Sequence, residues 1–122
     1  MNMRLAVLLT VALFSISPLL VFASDLTGIW EAKGNGRVAR VIINAAGKFT
    51  GVVEQNGKVV WSYSGRYKVR GNQLTWIYDQ PTNGEKAAVP SEPDRNIIIA
   101  IERDRLMLQE QNGSITEYVR KR

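Results

Sequence analysis

Val59-Val60-Trp61-Ser62-Tyr63-Ser64-Gly65-Arg66-Tyr67-Lys68-Val69-Arg70 is the stretch that decides the fold of this 122-residue chain. Every second position from Val59 to Val69 is apolar, aromatic or glycine, and the positions between them are mostly serine, lysine or arginine. A period of two with one apolar face is typical of a β-strand that packs on a core with one side and meets water with the other. Gly65 in its middle predicts a bend or bulge, because a small barrel has to curl a long strand.

Turn residues divide the chain on either side of this strand into short β-branched and aromatic runs. Asn56-Gly57 and Asn112-Gly113 are the strongest hairpin signals, since a type I′ turn needs positive φ angles that Asn and Gly tolerate. No run shows helical periodicity. The predicted strands are 26–33, 37–44, 48–55, 59–70, 73–78, 96–102, 105–110 and 114–120. Eight strands in succession predict an all-β fold, an eight-stranded antiparallel up-and-down β-barrel, in which closure leaves no unpaired edge.

The segment from Asp79 to Arg95 interrupts this rhythm. It has no periodicity, contains Pro81, Pro90 and Pro93, and carries a polar run over residues 82–86. A connection of this length without regular structure is uncommon in a compact domain and is usually functional or mobile. A lid, a protein-binding loop and a plain spacer across the barrel end all fit the segment.

Residues 1–23 are predicted to be a cleaved signal peptide. Arg4 supplies a positive start, residues 5–14 are an unbroken apolar run, and Val21-Phe22-Ala23 fits a cleavage site. The run is shorter than the ~20 apolar residues of a spanning helix, so we expect no membrane span in the mature chain. Residues 24–122 would then form a single domain in the periplasm or outside the cell. With no cysteine in the chain, packing must supply the stability that disulfides give many small exported domains.

The formal net charge of +5 does not by itself identify a partner. The basic residues are spread along the chain, which is typical of a solvated surface rather than a binding patch. No nucleic acid is expected, because the aromatic side chains share the inward face and leave no stacking platform outside. The outward face of the central strand is polar and basic, which excludes a barrel with an apolar, lipid-facing side.

Three short motifs resemble those of known small barrels. Thr27-Gly28-Ile29-Trp30 is similar to the opening of the first strand in lipocalins, fatty-acid-binding proteins and avidins, and the segment 47–51 resembles the third-strand entry of avidins. The segment 64–75 resembles the Gly-x-Tyr…Gly-Asn-x-Leu-Thr pattern of small bacterial lipocalin-like (calycin-type) exported domains. The resemblance implies a structural signature of Gly28, Trp30 and Arg120, in which the basic side chain of the last strand covers the indole at the closed barrel end.

The same resemblance has departures that bear on the ligand. Avidins hold the ureido group of biotin with polar side chains soon after the Gly-x-Trp element, whereas this chain has Glu31, Ala32 and Gly36 there. Biotin binding is therefore not expected. The absence of His and Cys excludes thiol nucleophiles, His-based triads and zinc sites built from these ligands. We expect no enzyme activity, no cofactor and no metal site.

Two binding functions from different classes remain. The first is an exported carrier of a small apolar molecule, with Trp61, Tyr63, Tyr67 and Trp76 as cavity walls unless these aromatics fill the interior as packed core. The second is a protein-binding module, a hydrolase inhibitor or periplasmic chaperone, that uses the 79–95 loop. Exported inhibitors of this size typically carry a disulfide, which this chain cannot form.

Overall fold

The structure is a computed structural model that describes residues 21–80 and 89–122. One helical turn, α1 (Ala23–Leu26), precedes eight strands. The strands are β1 (Gly28–Gly34), β2 (Arg37–Ile43), β3 (Lys48–Gln55), β4 (Lys58–Arg70), β5 (Gln73–Tyr78), β6 (Asp94–Ile101), β7 (Arg105–Gln109) and β8 (Ile115–Lys121). Residues 1–20, which make up most of the predicted signal peptide, lie outside the described part.

The eight strands form one closed antiparallel barrel in sequence order, in which β1 pairs with both β2 and β8. This confirms the predicted eight-stranded up-and-down barrel. The bounds of β3 and β5 are those predicted, and β6 begins at Asp94, two residues before its predicted start. No helix in the described ranges is long and apolar enough to cross a membrane.

The start of the first strand was predicted wrongly, because Leu26 belongs to α1 instead. The backbone N–H of Phe22 donates to Asp25 Oδ2 at 3.0 Å, and the N–H of Asp25 donates to the Phe22 carbonyl at 2.9 Å. This local capping turns the chain before β1 begins. The turn places Leu26, which is fully buried, beneath the end of the barrel.

Two register shifts bend the barrel. One lies between Val53 and Glu54 of β3, where Val53 pairs with Trp61 and Glu54 pairs with Val59. The extra residue, Val60, reverses the facing of the strand, so Val59 points outward and is 58% exposed. The expected inward position of Val59 is therefore wrong. The other shift lies between residues 98 and 100 of β6.

Gly65 is not the bulge that the sequence predicts, because its pairing with β5 continues without a shift. A Cβ at Gly65 would collide with the backbone carbonyl of Ile77 and would lie 3.0 Å from Cε1 of Phe49. Glycine is needed here because the backbone of the neighbouring strand and a core ring both approach closely.

The buried core fills the barrel end that α1 covers. This end is formed by the start of β1, the end of β2, the start of β3 and the end of β4, and by their counterparts in β5 to β8. Its largest fully buried side chains are Trp30, Phe49, Leu26, Ile43, Leu74, Ile98, Leu106 and Leu108. At the other end several inward side chains, Trp61, Tyr63, Tyr78 and Tyr118, are only partly buried, which leaves room for a site there.

Candidate functional site

Trp30 and Arg120 close one end of the barrel. The guanidinium carbon of Arg120 lies 4.2 Å from the centroid of the Trp30 ring, in cation–π contact. The indole N–H of Trp30 donates to the Leu26 carbonyl at 2.8 Å. Arg120 also donates to the backbone carbonyls of Thr27, Asp25 and Arg103. The guanidinium thus ties the segment before β1 to the last hairpin.

Gly28 completes this closed end. Its φ angle is 140°, a value that residues with a side chain rarely adopt, and a Cβ there would lie 2.5 Å from Nη1 of Arg120. The structure therefore brings together Gly28, Trp30 and Arg120, the three residues of the structural signature. None of them faces the open end, so this group closes the fold and leaves ligand contact to other residues.

The open end contains a cavity of about 330 Å³. This volume is at the lower limit of the range that small-molecule sites occupy. The cavity lies inside the barrel between the ends of β3, β5 and β7 and the starts of β2, β4, β6 and β8. It is lined by Ala39, Val41, Val53, Trp61, Tyr63, Trp76, Tyr78, Pro90, Asp94, Asn96, Glu110 and Tyr118.

A continuous aromatic wall forms one side of the cavity. The rings of Trp61 and Tyr63 lie 4.5 Å apart between centroids, and Tyr63 and Tyr78 lie 5.8 Å apart. Phe49 packs behind Tyr63 and Tyr78 at 6.1 and 5.7 Å. The ring of Tyr63 occupies the space where a Cβ of its cross-strand partner Gly51 would lie. A glycine opposite an aromatic residue lets the ring lie flat across the sheet and fixes this wall.

The sequence-predicted wall residues divide between the two ends. Trp61, Tyr63 and Trp76 line the cavity. Tyr67 does not: it is 5% exposed, and its hydroxyl donates to the Asn44 carbonyl at 2.8 Å near the closed end. Six residues of strand separate Trp61 from Tyr67, or about 20 Å at 3.3 Å per residue. One strand therefore contributes to both ends, and Tyr67 belongs to the core.

Two carboxylates, Asp94 and Glu110, also line the cavity, and Asp94 is the cross-strand partner of Trp76. Burial raises the pKa of the Asp94 carboxyl, and the negative charge of Glu110 raises it further. Burial also raises the pKa of the hydroxyls of Tyr63, Tyr78 and Tyr118, which therefore remain protonated. No lysine or arginine is among the described residues that line the cavity.

Two buried N–H donors at the cavity lack a partner in the described part of the chain, Nε1 of Trp61 and Nδ2 of Asn96. Asn96 is 4% exposed, and its Oδ1 accepts a hydrogen bond from Nε1 of Trp76 at 2.7 Å. The Trp76 bond fixes the orientation of the amide, so that only the amide nitrogen remains free. Unsatisfied buried donors are uncommon in proteins and often mark a position where a ligand or water accepts.

Several lining residues were not predicted from the sequence, and their signals differ. Tyr78 and Tyr118 alternate with Trp76 and Arg120 on inward faces, so strand parity could have found them. Asp94 and Asn96 alternate with the buried Ile98, but the prolines before them favoured a longer loop than the structure has. Glu110 follows the last residue of β7, where parity gives no firm answer.

The described ends of the 79–95 segment meet at the cavity mouth. The side-chain Nε2 of Gln80 donates to the Pro90 carbonyl at 2.7 Å and to the Tyr78 carbonyl at 3.2 Å. Pro90 itself lines the cavity. Residues 81–88 lie outside the described residues, and the last two residues of the predicted segment, Asp94 and Arg95, already belong to β6.

A second, shallow depression of about 390 Å³ lies on the outer surface, over β1 and β8. Glu31 lies there, outside the barrel, and its carboxylate contacts Arg40 at 3.1 Å. The Arg40 hydrogen bond holds the pKa of the Glu31 carboxyl below its usual range. Lys33 and Lys121 also pair with Glu31. The charged side chains at this depression form ion pairs. In the barrel cavity, by contrast, Asp94 and Glu110 form no ion pair with the described residues, and Nε1 of Trp61 and Nδ2 of Asn96 have no acceptor among them.

Comparisons with known proteins bear on the fold. No family model and no curated protein sequence matches the chain. Among solved structures, the crystal structure of a lipocalin-like protein from Bacteroides uniformis ATCC 8492 superposes with a TM-score of 0.64 at 15% sequence identity. The chain has a lipocalin-like fold. The superposition covers 80% of this chain and 99% of the Bacteroides protein.

Groups of three or more His, Cys, Asp or Glu that could hold a metal ion are absent from the described part of this lipocalin-like barrel. At the cavity, Asp94 and Glu110 are the two acidic residues, and Asn96 presents its amide nitrogen rather than its oxygen. The site therefore offers carboxylates, aromatic faces and N–H donors, a set suited to an organic ligand.

Proposed function

We propose that this protein is an exported binding protein that holds one small molecule in the open end of its lipocalin-like barrel. The observation that carries the proposal is the cavity of about 330 Å³ bounded by aromatic rings. Eight strands enclose just enough space for one small ligand when the side chains do not fill it. The core fills only the end that Trp30 and Arg120 close.

The aromatic wall supports a ligand with a largely apolar body. Trp61, Tyr63 and Trp76 line the cavity, and burying an apolar ligand against them removes its surface from water. Pocket walls that combine aromatic rings with a few polar groups are typical of small-molecule sites. The proposed function is non-catalytic binding, because the wall is mostly aromatic and the sequence has neither His nor Cys.

Export through the N-terminal signal belongs to the same proposal. Cleavage after Ala23 would remove buried Val21 and the Phe22 N–H that donates to Asp25, and would retain Arg120 and Leu26, whose carbonyl Trp30 binds. The intact mass of the protein from the exported fraction should correspond to a chain that begins at Ser24. A mass that retains residues 1–23 would contradict it.

Native mass spectrometry of the mature protein, gently purified from its own exported fraction, tests the binding proposal. We expect a small-molecule adduct on the natural protein. Ala39→Phe adds a ring to the cavity wall and should remove the adduct, whereas Ser62→Phe adds the same ring to the exposed outer face of β4 and should retain it. Equal adducts on the two variants would place the ligand outside the cavity.

The protein-binding alternative has a different outcome in the same experiment. A protein adduct that survives Ala39→Phe and is lost when the 79–95 segment is shortened would favour an inhibitor or chaperone role. The described ends of that segment, Gln80 and Pro90, are hydrogen-bonded to each other, and Pro90 lines the cavity.

A further inference from the structure

We propose that the cavity is selective for an organic cation: a protonated amine on an aromatic or other apolar body, with a hydrogen-bond-accepting oxygen close to the charge. This inference rests on the proposed function and adds the chemical class of the ligand. It stands on three features of the cavity wall, which are its unpaired carboxylates, its ring faces and its unpaired N–H donors.

The carboxylates of Asp94 and Glu110 have no cationic partner within the described residues. Five of the other acidic side chains in the described residues form ion pairs with lysine or arginine, namely Glu31, Glu54, Glu102, Asp104 and Glu117, whereas Asp25, Asp79 and Glu92 do not. The protein is basic, so positive side chains are plentiful, yet none lines the cavity. The mouth therefore concentrates negative charge, which a bound cation would neutralise.

Glu110 is held in position by its neighbours. Its Oε2 accepts hydrogen bonds from the hydroxyls of Ser114 at 2.8 Å and Thr116 at 3.3 Å. Asp94 is the first residue of β6, the strand that pairs with β7, so it lies on the same side of the mouth as Glu110. Two anchored carboxylates that repel each other gain most when a single positive charge lies between them.

The ring faces add a second attraction for a cation. Trp61 and Tyr63 both line the cavity, and their rings lie 4.5 Å apart between centroids with a tilt of 37°. The negative face of an aromatic ring attracts ammonium groups, most strongly when water is excluded. Aromatic walls combined with carboxylates form the usual surroundings of protein-bound ammonium groups.

The two unpaired N–H donors are the reason to expect a hydrogen-bond-accepting oxygen on the ligand. Nδ2 of Asn96 and Nε1 of Trp61 each lack an acceptor in the described part of the chain. A hydroxyl or carbonyl oxygen on the ligand would satisfy them and remove the cost of a buried N–H without a partner. The same amide nitrogen argues against a metal ion, because Oδ1 of Asn96 is already bonded to Trp76.

Four compounds of matched size test the selection by isothermal titration calorimetry of the mature protein at pH 7.5. They are 2-amino-1-phenylethanol (cationic), 1-phenyl-1,2-ethanediol (neutral), mandelate (anionic) and 2-phenylethylamine, which lacks the hydroxyl. We expect the amino alcohol to bind at least tenfold more tightly than the diol, a small part of what Coulomb attraction at an effective dielectric constant of about 20 allows. Mandelate should bind most weakly.

Single substitutions test the carboxylate and the N–H donor separately. Asp94→Asn should weaken the amino alcohol about tenfold and leave the diol unchanged, whereas Glu117→Gln, which removes a charge from the outer face of β8, should change neither by more than twofold. Trp61→Phe retains a ring and removes the N–H donor. It should weaken the amino alcohol severalfold and weaken 2-phenylethylamine, which has no hydroxyl, clearly less.

The outcomes separate this inference from the proposed function. If the diol binds as tightly as the amino alcohol and Ala39→Phe abolishes both, the cavity binds small molecules but the charge selection is wrong. Equal losses for all four compounds in Asp94→Asn would also overturn it. If none of the compounds binds at millimolar concentration and native mass spectrometry finds no adduct, both proposals fail.

Discussion

Replacing Arg120 with Met is the sharpest test of how the barrel is closed. Methionine retains an apolar stem of similar length and removes the guanidinium that covers Trp30. The guanidinium donates to the carbonyls of Arg103, Thr27 and Asp25 at 2.7, 2.5 and 3.0 Å. Its loss therefore separates α1 and the start of β1 from the end of β8.

The expected cost follows from these contacts. Three partly exposed hydrogen bonds contribute about 0.5–1.5 kcal/mol each, and the cation–π contact with Trp30 contributes about 0.5–1 kcal/mol. We therefore expect Arg120→Met to lower the free energy of unfolding by about 3 kcal/mol. For a domain of this size, 1 kcal/mol corresponds to a shift of about 4–8 °C, so the unfolding midpoint should fall by roughly 12–24 °C.

Urea and thermal unfolding, followed by far-UV circular dichroism, measure this change. Arg70→Met is the matched control, because Arg70 is exposed on the outer face of β4, and surface changes of this kind stay within about 0.5 kcal/mol. Arg120→Lys should fall between the two, since lysine retains the charge but loses the planar fork of donors. A loss below about 1 kcal/mol for Arg120→Met would refute the view that this residue closes the barrel.

Four further predictions concern the strands and the cavity. Gly65→Ala should lower the free energy of unfolding by about 2 kcal/mol or more, because the added methyl group meets the backbone of β5. Gly34→Ala is the control and should change the unfolding midpoint little, because a Cβ at Gly34 would have nothing within 4 Å. Equal effects of the two substitutions would contradict the close approach at Gly65. Tyr67→Phe should cost about 1 kcal/mol through the lost hydrogen bond to the Asn44 carbonyl, yet calorimetry should show no change in the affinity for 2-amino-1-phenylethanol. That affinity should fall as the pH falls, beginning above the usual titration range of an aspartate, because the pKa of Asp94 is raised in the folded state. A carboxyl whose pKa is raised by folding adds stability below its unfolded-state pKa, and this stability is lost as the pH rises through its folded-state pKa. Asp94 therefore adds no such stability at pH 7, and Asp94→Asn should leave the unfolding midpoint at pH 7 unchanged or higher. A clear fall would contradict this.

The local pattern predicted the class of fold because each strand carries its own evidence. The alternation in β4, the turn pairs Asn56-Gly57 and Asn112-Gly113, and the apolar runs between them depend only on neighbouring residues. β3 and β5 have the predicted bounds for this reason. The N-terminal turn was missed because one turn of helix is too short to show periodicity, and a capping contact between Phe22 and Asp25 decides it.

The candidate site was predicted only in part. Trp61, Tyr63 and Trp76 were placed on inward faces by strand parity, and the structure puts them on the cavity wall. Tyr67 shares that parity but lies at the closed end, because parity fixes the side of the sheet and not the height in the barrel. The outward position of Val59 depends on the bulge at Val60, which no local signal marks.

The sequence by itself determined that the chain forms eight short strands with one apolar face each, since backbone geometry and side-chain alternation act between near neighbours. Only the tertiary structure decided which end is filled and which is open. Arg120 reaches Thr27 across the whole length of the folded chain, and Asp94 meets Glu110 because the start of β6 and the end of β7 lie at the same rim. Such contacts depend on the closure and register of the complete barrel, which no single stretch of the chain specifies.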